Sequence, residues 1–95
     1  MKKNEFVDLY QRIGDALSSG LLNKNEFVLA LVLLSRWNKL GYPDLFAVKT
    51  TLLIAQLEMS KTTFLRTRSS LKQKGIIDFQ SHLGSKSTTY SILWR

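Results

Sequence analysis

Apolar residues recur at helical spacing from the start of the chain. Phe6, Leu9, Tyr10, Ile13, Ala16 and Leu17 fall on one face of a helix over about residues 4–18, while Lys3, Glu5, Asp8, Arg12 and Asp15 lie mostly on the other. Ser18-Ser19-Gly20 ends that pattern. A second helix is predicted over about 24–40. Asn23 stands where a cap belongs, and Glu26 follows three residues later as in a capping box. The run Phe27 to Leu34 is apolar on every side of this helix, which places it at the centre of a core. Gly41 and then Pro43 stop it.

Shorter periods follow. Phe46-Ala47-Val48 reads as a very short strand, and Thr50 or Thr51 is expected to cap a helix over about 51–57. Ser60 caps another, from Lys61 to about Lys74, with Gly75 as its stop. Glu58, Met59 and the Ser60 cap are all that separate these two helices, the tight join of a helix-turn-helix. After Gly75 the period changes. Ile76, Ile77 and Phe79 read as a strand, residues 82–87 as a polar turn, and Thr88 to Trp94 as a returning strand rich in β-branched and aromatic residues. The expected fold is mainly α with a small β-hairpin: residues 23–95 form the main unit and residues 1–22 a helical extension.

Charge sharpens this picture. The 95-residue chain has a net charge of +7. Residues 1–58 hold seven basic and six acidic side chains, whereas 59–95 hold seven basic ones against Asp78 alone. An acidic partner is therefore expected to approach the C-terminal part, and nucleic acid is the commonest such partner. The longest apolar run is too short to cross a membrane, and nothing at the N-terminus reads as a signal peptide. No cysteine is present, so disulfides and thiolate metal sites are excluded. These features fit a cytoplasmic protein.

On a helix from Lys61 to Lys74, Phe64, Thr67, Arg68 and Leu71 share one face and Thr62, Arg66, Ser69, Ser70 and Gln73 the opposite one. The outer face carries hydroxyls, an amide and a guanidinium, and Met59 to Ile77 contains no acid. A helix entering the major groove needs such a face: donors for base edges, positive charge for phosphates and little bulk. The bland alternative, a solvated surface helix, usually mixes Glu with Lys.

Ser60-Lys61-Thr62-Thr63-Phe64, Arg66, Leu71 and Lys74-Gly75-Ile76-Ile77 together resemble the recognition-helix pattern of winged-helix DNA-binding proteins. More narrowly, the chain resembles the N-terminal domain of DnaD-like replication proteins and phage replisome organisers. Arg36 to Leu40 running into Gly41-Tyr42-Pro43, the paired Arg66 and Arg68, and Gly84 to Ile92 carry that likeness, which covers about residues 24–93. Glu58 departs from it, since the turn there usually holds Gly. The resemblance implies a winged helix-turn-helix with an extra N-terminal helix, a bacterial or phage-infected cell, and a role in starting replication on double-stranded DNA. Its implied partners are a helicase loader or helicase, and a second copy of the chain through residues 4–18.

Arg66 is the leading contact candidate, for a guanine edge or a phosphate. Thr62 and Thr63 lie in the first turn, Lys61 and Thr50 are expected at phosphates, and Ser69, Ser70 and Gln73 follow the groove. Lys86, in the turn that would form the wing, is expected at a phosphate. Arg68 shares the inward stripe, so a scaffold role is expected for it, paired with an acid such as Asp78. His82 reads as a surface residue, and Trp37, Tyr90 and Trp94 as core or interface. No Ser-His-Asp set, zinc spacing or phosphate-cradling Gly-rich loop is present, so neither enzyme activity nor a cofactor nor a metal is expected. Two other readings stay open: a transcriptional regulator of the same fold, and a protein-interaction adaptor that does not bind DNA.

Overall fold

The computed structural model describes residues 5–81 and 87–94. Helix α1 spans Glu5–Ser18 and α2 spans Lys24–Lys39. The capping box at α2 is complete: Asn23 Oδ1 accepts from the Glu26 N–H, and Glu26 Oε1 accepts from the Asn23 N–H, both at 2.8 Å. At its other end Gly41 takes a φ of +85°, and the Gly41 and Tyr42 N–H groups donate to Asn38 and Trp37. This Schellman closure needs a left-handed residue, which glycine supplies without steric cost.

Strand β1 (Phe46–Lys49) leads directly into α3 (Thr50–Leu57), which is followed by α4 (Lys61–Gln73), β2 (Ile77–Ser81) and β3 (Ser87–Ile92). The three strands form one antiparallel sheet in the order β1-β3-β2. The short strand at 46–48 is therefore not isolated. It pairs with β3, Phe46 opposite Tyr90 and Val48 opposite Thr88, on the sheet face turned to the core. Helix, strand, helix-turn-helix and hairpin in this order give a mainly α, winged-helix-like arrangement in which α4 is the second helix of the helix-turn-helix.

The start of α3 differs from expectation. Lys49 is the cap residue and makes no side-chain cap bond, and Thr50 is already helical. The reason is a long-range contact: the Thr50 hydroxyl lies 3.3 Å from that of Thr88 on β3 and is engaged there. Between α3 and α4, Glu58 takes up the left-handed conformation, at φ +55° and ψ +37°. The Glu58 and Met59 N–H groups donate to Ala55 and Ile54, closing α3 as a glycine would. Glu58 thus keeps the usual turn with an unusual residue.

One apolar cluster serves every element. Leu29, Leu33, Leu34 and Trp37 of α2 have no exposed surface, nor do Leu53, Phe64, Leu71 and Tyr90 from the parts around it. Trp37 Nε1 donates to the Pro43 carbonyl at 3.0 Å, so its polar atom is satisfied in the core. The segment expected as an extension contributes Leu9, Ile13, Ala16 and Leu22 to the same cluster. At its far side Arg12 donates to the Trp94 carbonyl at 2.9 Å and stacks on that ring at 4.2 Å, tying α1 to the C-terminal segment. No helix among the described residues is long and apolar enough to cross a membrane.

Candidate nucleic-acid interface

Helix α4 is capped by Ser60, whose Oγ accepts from the Thr63 N–H at 3.1 Å. Its buried face is Phe64, Thr67, Arg68 and Leu71, the stripe read from the sequence. Lys61, Thr62, Arg66, Ser69 and Gln73 are exposed. At about 100° per residue, Thr62, Arg66, Ser69 and Gln73 fall within about 60° of one another. Together they form a narrow strip of hydroxyls, an amide and a guanidinium without a carboxylate.

Two of the expected contact residues belong to its shoulder. Ser70 and Thr63 lie about 60° and 40° from Thr67 around the axis, toward the core. Both are half-buried and internally bonded: the Ser70 hydroxyl donates to Glu26, and Thr63 Oγ1 accepts from Ser60 at 3.0 Å. Thr50, also half-buried, is occupied with Thr88. Lys86 lies outside the described residues.

The basic end of α4 is largely neutralised from within. Lys74 Nζ meets both Glu26 carboxylate oxygens at 2.8 Å and the Leu21 carbonyl at 2.7 Å. Burial raises the Glu26 pKa, but the bonds from Lys74, Ser70 and the Asn23 backbone outweigh it and hold the carboxyl below its ordinary range. Lys72 pairs with Asp78 at 3.2 Å, and that bond with the Phe79 N–H holds the Asp78 carboxyl low as well. Asp78 is therefore not the partner expected for Arg68. Its place on the outward side of β2 turns it to the α4 end rather than to the core.

Arg68 instead enters the core, 7% exposed. Its Nη1 donates to Thr88 Oγ1 at 3.2 Å and lies 3.4 Å from the Tyr90 hydroxyl. The guanidinium carbon sits 4.3 Å from the Phe79 ring centre and 5.3 Å from that of Phe64. Sequence reasoning missed two further cations. Lys49, exposed at the start of α3, and half-buried Arg36 of α2 line a cleft of about 700 Å³ with Ala47, Thr51, Leu52 and Ser87. The sequence signal for Lys49 was its place immediately before the helix start. Arg36 gave none, because its position depends on how α2 meets β1.

The arrangement offers hydrogen-bond donors and exposed positive charge at Lys61, Arg66 and Lys49. Among the described residues no group of three or more His, Cys, Asp or Glu side chains could hold a metal ion. No family model matches the chain, and neither curated proteins nor solved structures give a match.

Proposed function

We propose that the chain binds double-stranded DNA through α4, with the strip of Thr62, Arg66, Ser69 and Gln73 in the major groove. The observation that carries this reading is the exposed, carboxylate-free strip on the second helix of a helix-turn-helix. A groove about 12 Å wide admits one helix, and Arg66 has the length and geometry for a guanine edge. Lys61 and Lys49 take phosphates, as does Lys86 of the wing segment. Thr63, Thr50 and Ser70 support the surface rather than lead it, because their hydroxyls are engaged within the protein.

Replication initiation is the proposed setting, with a helicase loader or helicase as partner, and it rests on the sequence resemblance alone. One module of this size buries about 600–1,000 Å² on DNA, so tight binding calls for an assembly. Tyr10 and Val7 of α1, 49% and 42% exposed, are the apolar residues through which two copies would meet.

Arg66→Glu tests the reading, because it reverses charge on an exposed position and leaves the core untouched. In anisotropy titrations with duplex DNA at two salt concentrations, the wild type binds with a log–log salt slope of roughly −3, for three or four phosphates. The variant keeps its thermal midpoint and loses binding. Unchanged affinity in Arg66→Glu would remove α4 from the interface. Absence of wild-type binding at low salt would favour the adaptor reading.

A further inference from the structure

Arg68 carries a guanidinium group, yet it lies in the core. Buried charges are normally met by a carboxylate. Among the described residues none meets this one: Glu26 is taken by Lys74 and Asp78 by Lys72. Its Nε is buried without a hydrogen-bond partner among the described residues. An apolar side chain of similar volume would fill the same space without that desolvation cost. Stability alone therefore does not account for an arginine here.

Its contacts do. Thr88 and Tyr90 are on β3, Phe79 is on β2, and Phe64 is on α4 itself. Thr88 passes the connection to Thr50, the first residue of α3. One guanidinium thus touches both strands that flank residues 82–86, and through one hydroxyl it reaches the start of the helix before α4. Hydrogen bonds fix direction, whereas apolar packing does not.

We infer that Arg68 is a positioning residue, which sets the β2–β3 hairpin and the start of α3 at a fixed angle to α4 so that Lys49, paired with Ser87 at the start of β3, and the α4 strip meet one duplex together. This rests on the proposed DNA reading, and the test keeps the two apart. Arg68→Met retains volume and removes the directional bonds; Arg68→Lys retains the charge and removes the planar fork.

In Arg68→Met, the thermal midpoint stays at or above that of the wild type. Amide hydrogen exchange at Thr88 and Tyr90 quickens by at least about tenfold, while the α2 amides are unchanged. The DNA dissociation constant rises by about tenfold or more, and the salt slope becomes shallower by about 1 as the Lys49 phosphate contact is lost. Arg68→Lys shows the same faster exchange at the hairpin, and it serves alone if the Met variant does not fold. Unchanged hairpin exchange with unchanged affinity would overturn the inference, as would exchange rising equally throughout the core. If the wild type itself does not bind DNA, the DNA reading fails, and the hairpin coupling is still decided by exchange.

Discussion

Glu26 is 1% exposed and remains a carboxylate because Asn23, Ser70 and Lys74 all donate to it. One side chain caps α2, receives α4 and neutralises Lys74. Its folded pKa lies below the ordinary value near 4.5, so on acidification the unfolded chain takes the proton first. The resulting stabilisation is fully present above about pH 4.5 and fades as pH falls through the folded pKa. Glu26→Gln is therefore expected to lose about 1–2 kcal/mol near neutral pH, the worth of charged hydrogen bonds to a buried acceptor. Against wild type in urea unfolding, that deficit shrinks between pH 7 and about pH 3.5. An equal deficit at both pH values would contradict the assignment.

Among elements, the join between α3 and α4 sets the angle at which α4 is presented, and Glu58 holds it in the left-handed region. A residue with a Cβ is strained there by about 1 kcal/mol or more, which glycine avoids. Glu58→Gly is expected to stabilise the protein by about 0.5–1 kcal/mol, net of the entropy glycine adds to the unfolded chain. Thermal unfolding checks it, and a destabilised variant would mean that the Glu58 side chain does more than turn the chain. Helices α2 and α4 were the most legible because each had its own punctuation: Asn23 with Glu26, Ser60, Gly41 and Gly75 all act as the sequence signals them. The inward stripe of α4 was legible from spacing alone. What local reading could not supply were bonds across the chain. Ser70 meets Glu26, Thr50 meets Thr88, and Lys72 takes the acid that Arg68 was expected to hold. Periodicity shows which face a residue is on, but not what a second element brings to it.

At the scale of the whole molecule, three of the seven basic side chains read from residues 59–95 are not free for a partner. Lys72 and Lys74 are paired, and Arg68 is inside. What remains on the described surface of that region is Lys61 and Arg66, with Lys49 added from the first half of the chain. What a partner meets therefore depends on where charge is exposed rather than on how much the chain carries. α1, set apart in the sequence, shares the core and is clipped to the C-terminal segment by Arg12 and Trp94. It leaves Val7 on its opposite side exposed, and also Tyr10, which the spacing puts with the apolar face but which lies at its edge. Amide chemical-shift mapping during titration with duplex DNA locates the interface residue by residue. Binding through α4 predicts shifts concentrated at Lys61 to Gln73, at Lys49 to Thr51 and at the start of β3, with the α1 amides unmoved. Shifts confined to α1 or scattered without relation to α4, or no shifts at low salt, would contradict it.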